Sequence, residues 1–399
     1  MEHGEFRDKA AKLLAYVAQK APSTAEMLRA LDADLAAGEP PWFGRLSAAW
    51  RGRVFGPSYE APLLLLAALH REALAGRAGA LARTFPSCGG SAPGAGSAAV
   101  EFLRSAPSSF FAALADERLQ TNEPARSAAW LLPACAAFLP RGLPFHLVEL
   151  GASAGLVLVG DYLPRSTALA AADGAGAEEP PRWRESPYPV LSRRGLDARP
   201  RRVADAADIL WLKACVWPHD LERLERLERA AALFAALERE AGGPRLHALD
   251  FSAMPAWVAS EIKPHPEEGL LVFNAQAADF LTAASYETLK EGLAEALRPW
   301  GDRGFWIELE LPRGGDGEHE LRAHRWMGAR FESRLLGRAD SHAKTLRIEA
   351  GWDFLRPLGP ITSPRNTREE PPKQLHPGLY RFPALKGSPG PEGPGGGSS

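Results

Sequence analysis

After residue 143 the sequence alternates short apolar runs with longer amphipathic segments, and this alternation restricts the fold more than any other feature. Each run has the length of a buried strand and ends in a polar or acidic residue. Repeated strand, helix and strand segments predict an α/β fold, in which helices cover both faces of a mainly parallel sheet. The predicted strands are FHLVEL (145–150), VLSRRGLD (190–197), RLHALD (245–250), GLLVFN (269–274) and GFWIELEL (304–311).

The part of the chain before these strands has a different pattern. Its apolar residues recur at helical spacing, as in KLLAYVAQ and APLLLLAALHREALAG. The sequence therefore predicts an all-helical N-terminal domain over residues 1–140 and an α/β domain over residues 141–363. Residues 364–399 are rich in proline and glycine, which predicts a disordered tail.

Composition narrows the classes of partner. Lys and Arg number 47 against 49 Asp and Glu, a formal net charge of −2, so no overall field attracts the chain to nucleic acid or to an anionic membrane. The three cysteines are far apart and form neither a disulfide framework nor a C-x-x-C metal site. The longest apolar run, PLLLLAALH, is too short to span a bilayer, and the N-terminal segment lacks the apolar core of a signal peptide. We expect a cytoplasmic protein that binds a small-molecule ligand, without a metal, nucleic acid or membrane partner.

The first predicted strand leads into GASAG (151–155), and this turn has two interpretations. As G-x-S-x-G it would present Ser153 as the nucleophile of an α/β-hydrolase. Such an enzyme normally has several strands before its nucleophile, whereas the residues before Ser153 look helical, and no downstream histidine stands out as the base. As the first turn of a Rossmann-like sheet, the segment uses Gly151 for a tight turn and Gly155 for close packing of the next helix. Ser153 then replaces the usual middle glycine, and Glu149 lies at the end of the strand.

Polar side chains also end the later strands. Asp197 closes the second predicted strand, Asp250 the third and Asn274 the fourth. In an open parallel sheet these ends converge on the crevice in which ligands bind. This succession resembles the class I S-adenosylmethionine-dependent methyltransferases, which implies a Rossmann-like fold, S-adenosylmethionine as cofactor, Glu149 near its methionine end, Asp197 on its ribose hydroxyls and Asp250 beside its adenine. The predicted cofactor site comprises Glu149, Gly151, Ser153, Gly155, Asp197, Asp250 and Asn274.

Substrate candidates flank the cofactor turn. Asn122, Glu123 and Arg126 open the helix just before the first strand, where they would lean over the turn, and Arg126 would suit a carboxylate or phosphate. The alternative is that they only cap this helix. A buried Arg126 would need Glu123 or a ligand as its partner. Asp161 and Tyr162 follow the turn and either face the mouth of the pocket or end a helix; no residue stands out as the catalytic base.

Four blocks of the sequence carry a closer resemblance. They are TNEPARSAAWLLPA (121–134), LVELGASAGLVL (147–158), RRGLDARP (193–200) and LKACVWPHDLERLERL (212–227), and they are similar to successive blocks of the bacterial family known as domain of unknown function 2332. That family resembles methyltransferases in fold, without an established activity. We therefore predict an S-adenosylmethionine-dependent methyltransferase that acts on a small or medium-sized acceptor. Two alternatives stay open: a non-catalytic ligand-binding or scaffolding protein on the same fold, and the serine hydrolase with Ser153 as nucleophile.

Overall fold

The N-terminal part of the chain is built from helices, as its periodicity predicts. In the computed structural model, which describes residues 1–55, 59–171, 188–313 and 317–356, the α-helices before the first strand are α1 (His3–Val17), α2 (Pro22–Ala36), α3 (Pro41–Ala49), α4 (Glu60–Leu74), α5 (Gly79–Ala82), α6 (Ala95–Ser105), α7 (Ser108–Asp116) and α8 (Ala128–Ala137). In α1 the side chains of Phe6, Ala10, Leu13 and Val17 are buried along one face, and they join the inner faces of α2 and α4 in one apolar cluster. The division into domains at residue 140 stays a prediction, and the tail over 364–399 lies outside the described residues.

The second part of the chain contains the predicted sheet. Its described strands are β1 (Phe145–Leu150), β2 (Ala168–Ala171), β3 (Val190–Asp197), β4 (Pro244–Ala248), β5 (Gly269–Ala275), β6 (Gly304–Glu310), β7 (His319–Met327), β8 (Arg330–Ala339) and β9 (Thr345–Ile348). Their order across the sheet is β2-β9-β8-β7-β6-β5-β1-β3-β4. The five strands from β4 to β6 in this order are parallel, β6 to β9 pair antiparallel, and β2 is parallel to β9. The mixed α/β class and the mostly parallel sheet are therefore confirmed.

The central strands appear in the sequence as continuous apolar runs because both of their faces are buried. The remaining α-helices are α9 (Ala206–Ala214), α10 (Leu221–Leu237), α11 (Met254–Glu261) and α12 (Ala283–Leu297). On one face of the sheet, Leu147 of β1 and Phe273 of β5 join an apolar cluster with α8. On the other face, Val148 and Val272 join a cluster with α11 and α12. Successive strand residues point to opposite faces, so a strand covered on both sides has no polar alternation.

The hairpin of β7 and β8 was not among the predicted strands. It follows β6 directly and turns at Gly328, whose φ is +62°. The segment HELRAH (319–324) therefore lies in a strand, and His319 and His324, five residues apart, project from opposite faces. Within the described ranges, no group of three His, Cys, Asp or Glu residues is placed to hold a metal ion. None of the helices described is both long and apolar enough to cross a membrane.

The segment before α8 lies beside the turn that follows β1. Residues 124–127 form a short 3-10 helix, and residues 156–162 form another. The two pack so closely that a Cβ on Gly160 would lie 2.1 Å from Cβ of Ser127. The indole Nε1 of Trp130 in α8 also donates to the carbonyl oxygen of Val157, at 2.9 Å. These contacts bring the candidate residues around position 123 to the carboxyl edge of the sheet.

Candidate functional site

The turn after β1 reverses the backbone sharply. Gly151, Ser153 and Gly155 all have positive φ angles, of +72°, +49° and +67°. The backbone N–H of Ser153 donates to Oδ2 of Asp197, 2.8 Å away, and this bond ties the turn to the end of β3. Ser153 therefore lies in a strand-to-helix turn, next to the carboxylate that ends the neighbouring strand.

Neighbouring atoms leave no room for a side chain at either glycine of this turn. A Cβ on Gly151 would lie 2.3 Å from Cβ of Ala277, in the segment after β5. A Cβ on Gly155 would lie 2.8 Å from Cδ2 of Leu246, in β4. Interiors packed at this density leave no room for an added methyl group. The glycine pattern is thus explained by packing within the protein, and the case for a ligand has to come from the polar side chains.

Glu149 is a buried carboxyl group near the end of β1. It is 4% exposed, and its Oε2 has no hydrogen-bond partner among the described residues. Burial raises the pKa of Glu149 well above its usual value, the negative charge of Asp197 raises it further, and the positive charge of Arg126 opposes the rise. Glu149 pairs with Gly195 across β1 and β3, two residues before Asp197, so the two carboxyl groups lie at the same strand ends.

Asn274, a residue of β5, orients the carboxyl group of Glu310. It is fully buried; its Nδ2 donates to Oε1 of Glu310 at 2.6 Å, and its Oδ1 accepts from Nε1 of Trp306 at 2.6 Å. Glu310, the last residue of β6, lies beside Asp279. Burial, together with the charge of Asp279, raises the pKa of Glu310 to about 8. Glu310 therefore keeps its proton at neutral pH beside Asp279, and Asn274 holds Glu310 in place.

Glu123 is the centre of a buried ion cluster. One carboxylate oxygen accepts from Nε of Arg223 at 2.7 Å, and the other accepts from Nε of Arg226 at 3.1 Å. Glu123 also accepts from the backbone N–H of Ala125, which is the capping contact expected at the start of this helix. Burial opposes ionisation, but Arg223 and Arg226 hold the pKa of Glu123 below its usual value. Both arginines come from α10, so this cluster fastens α10 to the segment before α8.

Arg126 is buried close by but does not pair with Glu123. Its Nη1 donates to the backbone oxygen of Thr121 at 3.0 Å, and its Nη2 donates to the backbone oxygen of Ser341 at 3.1 Å. Nε2 of Gln276 donates to the same oxygen of Ser341, at 2.6 Å. Burial and the positive charge of Arg223 lower the pKa of Arg126 to about 10, so it stays protonated at neutral pH. The sequence predicts either Glu123 or a ligand as the partner of Arg126. Glu123 binds Arg223 and Arg226 instead.

The loop between β8 and β9 completes this edge of the sheet. Asp340 accepts hydrogen bonds from three backbone N–H groups of its own loop, which fixes the position of Ser341. Ala343 in this loop has a φ of +51°, and Gln276 after β5 has a φ of +57°. With Ser153 they are the non-glycine residues of positive φ in the described part of the chain. Strained backbone of this kind accumulates at functional sites, and here all three positions lie at one edge.

The remaining predicted site residues are Asp250, Asp161, Tyr162 and Asn122. Asp250 is exposed at the start of a short 3-10 helix after β4. Asp161 is buried and binds both terminal nitrogens of Arg193, at 2.9 and 2.7 Å, and the guanidinium of Arg193 lies 5.3 Å from the centre of the Tyr162 ring. Asp161 therefore stabilises the segment after the turn. Asn122 is buried next to the ion cluster.

Several members of the site were not foreseen from the sequence. Gln276 and Asp279 come two and five residues after the fourth predicted strand, and Glu310 lies one residue before the end of the fifth, so attention to the strand ends would have found Gln276 and Glu310. His319 begins β7, whose hairpin has no such signal, and His342 lies in the loop before β9. Burial and the charges of nearby arginines lower the pKa of each histidine to about 4. Both histidines are thus neutral at neutral pH.

Comparison with known proteins adds a family but no activity. A family model described as an uncharacterised protein conserved in bacteria, DUF2332, matches residues 5–347. No curated protein and no solved structure in the comparisons matches the chain. The match covers every element of the site, and its description names neither substrate nor reaction.

Proposed function

Since the chain belongs to the bacterial DUF2332 family, whose description assigns no reaction, we propose a function from the site itself: the protein binds S-adenosylmethionine at the carboxyl ends of β1, β3, β4 and β5 and transfers its methyl group to a small or medium-sized acceptor. Glu149 carries this proposal, because it is a buried carboxyl group with an unpartnered oxygen beside the turn at Ser153. When bound, S-adenosylmethionine supplies a methyl group on a sulfonium centre.

The order of the parallel strands supports a Rossmann-like, methyltransferase-type sheet. Numbered by their order in the chain, the five parallel strands are arranged 3-2-1-4-5, which is the order of the doubly wound nucleotide-binding fold. The chain leaves β1 toward β3 and β4 on one side and returns to β5 on the other. Ligands of such sheets bind at this switch point, outside the carboxyl ends of the strands. Glu149, Ser153 and Asp197 lie at this point.

The residues at the switch point suit the polar parts of the proposed cofactor. The unpartnered oxygen of Glu149 would accept from the ammonium group of the methionine end. Asp197 already accepts from the backbone N–H groups of Ser153 and Arg199, at 2.8 and 2.7 Å. A carboxylate has about four acceptor sites, so Asp197 retains capacity for the hydroxyl groups of a ribose. Asn274 would act indirectly in this arrangement, because its hydrogen bonds are used within the protein.

Calorimetric titration of the dialysed protein with S-adenosylmethionine and S-adenosylhomocysteine tests the proposal. We expect a micromolar Kd for both, as is usual for this class of cofactor. Glu149→Gln and Asp197→Asn should each weaken binding by at least tenfold, because the ammonium group of the ligand would stabilise the ionised form of Glu149 and an amide at either position cannot carry that charge. Glu295→Gln is the matched control, because Glu295 is an exposed carboxylate of α12 whose partner among the described residues is Arg298.

The outcomes separate the candidate functions. Absence of heat, together with an unchanged melting temperature at millimolar ligand, would exclude cofactor binding. Equal binding by the Glu149→Gln and Glu295→Gln variants would mean that the cofactor binds elsewhere. Binding without methyl transfer to any acceptor in a metabolite mixture, followed with a labelled methyl group, would favour a non-catalytic ligand-binding protein on this fold.

A further inference from the structure

Three buried or half-buried guanidinium groups meet beside one buried carboxylate at the carboxyl edge of the sheet, and the outermost, Arg226, also lies 3.8 Å from the exposed carboxylate of Glu222. Glu123 contacts Arg223 and Arg226. The positive charge of Arg223 also lowers the pKa of the neighbouring Arg126. Arg126 is 5% exposed and Arg223 is 2% exposed. Removing a charge from water is costly unless a counter-charge or hydrogen bonds replace the water. The carboxylates that contact Arg223 and Arg226 balance only part of the positive charge of the three arginines.

Arg325 shows how a buried arginine of this protein is satisfied without a carboxylate contact. It is 1% exposed, its Nη1 donates to the backbone oxygen of Arg356, and its other nitrogens contact the sulfur of Met327. Its guanidinium also lies 5.6 Å and 5.3 Å from the ring centres of Phe305 and Phe354. All of its nitrogens therefore have a contact within the protein.

Arg126 differs from Arg325 in keeping donor capacity. Its Nε has no partner among the described residues, and neither has Nη2 of Arg223. A guanidinium is always protonated, so each of these atoms is an N–H donor without an acceptor. An oxyanion bound beside these two buried cations would accept hydrogen bonds from both unpartnered donors.

A histidine adds a third donor to the same place. Nε2 of His342 lies 3.4 Å from Nη1 of Arg223. Because a guanidinium only donates, Nε2 of His342 must be the acceptor, and the neutral ring then carries its proton on Nδ1. That Nδ1 is buried and has no partner among the described residues, as is also true of Nδ1 of His319. His319 lies within the field of Arg126, which helps to keep its ring neutral.

These four side chains form what we call the anion cluster, which consists of Arg126, Arg223, His319 and His342. We propose that the anion cluster binds the oxyanion group, a carboxylate or a phosphate, of a small-molecule ligand. Binding of this anion does not depend on methyl transfer. The assignment of the anion to the methyl acceptor rests on the proposed function: Glu149, at the adjoining strand end, would face the cofactor while the anion cluster holds the acceptor by its charge.

A cavity lies next to Arg226, the arginine that shares Glu123 with Arg223. It has a volume of about 190 Å³ and lies between residues 124–128, residues 163–167 and α10. Its wall carries charges of both signs, from Arg165, Arg226 and Arg229 and from Glu222 and Glu225. None of its lining residues belongs to the anion cluster, so the proposal rests on the buried donors themselves.

Histidine resonances test the proposal directly. The protein has 10 histidines, so selective ¹⁵N-histidine labelling gives few signals, and His319→Gln and His342→Gln variants assign two of them. Sodium phosphate and sodium acetate, each titrated at constant ionic strength, should shift the His319 and His342 signals with saturation. Tighter binding of phosphate would identify a phosphate site, and tighter binding of acetate a carboxylate site. Arg126→Met should weaken the preferred ion at least tenfold.

Arg325→Met is the matched control, since it removes a buried arginine remote from the anion cluster and should leave ion binding unchanged. Should Arg126→Met fail to fold, Arg126→Lys, which keeps the charge but loses the planar donors, serves as the second variant and should weaken binding as well. Shifts that are linear in concentration, or equal in wild type and Arg126→Met, would overturn the proposal. Saturable ion binding without binding of S-adenosylmethionine would uphold the anion site and exclude the methyltransferase, so the two proposals fail separately.

Discussion

Single residues at the carboxyl edge of the sheet keep buried polar atoms that have no hydrogen-bond partner within the described ranges. They include Nε of Arg126, Oε2 of Glu149, Oγ of Ser153 and Nδ1 of His319. Each such atom costs about 1–3 kcal/mol relative to a hydrogen-bonded one. Apolar side chains of similar volume would often be at least as stable in these places. The clustering of these atoms therefore supports a ligand site, and it predicts which substitutions the fold tolerates.

Arg126→Met should change stability far less than Arg193→Met. Arg193 is buried in a two-bond ion pair with Asp161, so removing it leaves an uncompensated carboxylate, which costs about 3–5 kcal/mol. Among the described residues no carboxylate contacts Arg126, and its loss removes two hydrogen bonds to backbone oxygens. Urea unfolding measures both free energies. A loss for Arg126→Met as large as that for Arg193→Met would mean that Arg126 has a structural role.

Ser153 should not react with a fluorophosphonate probe. A serine becomes a nucleophile when a base accepts its proton, yet Oγ of Ser153 has no hydrogen-bond partner in the described part of the chain, and Asp197 binds its backbone N–H instead. Peptide mass spectrometry after treatment should find Ser153 unmodified, with a known serine hydrolase labelled in the same reaction. Labelling that disappears in Ser153→Ala would restore the hydrolase alternative.

At the level of elements, the central strands and the late strand in TLRIEAGWDF (345–354) were predictable from the sequence, whereas the hairpin of β7 and β8 was not. Runs such as GLLVFN (269–274) are buried on both faces and therefore continuous, so the sequence marks them clearly. In β7, by contrast, His319, His324 and Arg325 are all buried, and these polar residues conceal a strand. The partners of Glu123 lie 100 and 103 residues away in α10, which no local pattern indicates.

Gly151→Ala should destabilise the turn after β1 much more than Gly142→Ala destabilises the entry to β1. Both glycines have positive φ, +72° and +60°, so alanine costs each about 1–2 kcal/mol of backbone strain. A Cβ on Gly142 meets nothing within 4 Å, whereas one on Gly151 would lie 2.3 Å from Cβ of Ala277. We expect an additional loss of about 1–3 kcal/mol for Gly151→Ala, as for other overpacked sites. Equal losses in urea unfolding would contradict this close packing.

For the molecule as a whole, the buried titratable groups make stability depend on pH in two opposite ways. Glu310 has its pKa raised from 4.5 to about 8, so the folded state holds a proton that the unfolded state releases above pH 4.5. Its contribution to stability is complete below pH 4.5 and is lost as the pH rises through 8. His342 has its pKa lowered from 6.5 to about 4, so its contribution is complete above pH 6.5 and is lost as the pH falls through 4.

Glu310→Gln and His342→Gln should therefore shift the pH dependence of stability in opposite directions. Glutamine at 310 keeps the acceptor for Nδ2 of Asn274 and offers Asp279 a permanent donor, so it reproduces the protonated acid at every pH. Between pH 5 and pH 8 its unfolding free energy should rise relative to wild type by about 1.4 kcal/mol per pH unit. His342→Gln should instead gain on wild type as the pH falls from 7 to 5, because the variant has no ring that must lose its proton on folding. Parallel urea titrations at pH 5, 6, 7 and 8 measure both differences. If the Glu310→Gln difference did not change with pH, Glu310 would not hold a proton beside Asp279 in the folded protein, and the two carboxyl groups would ionise independently.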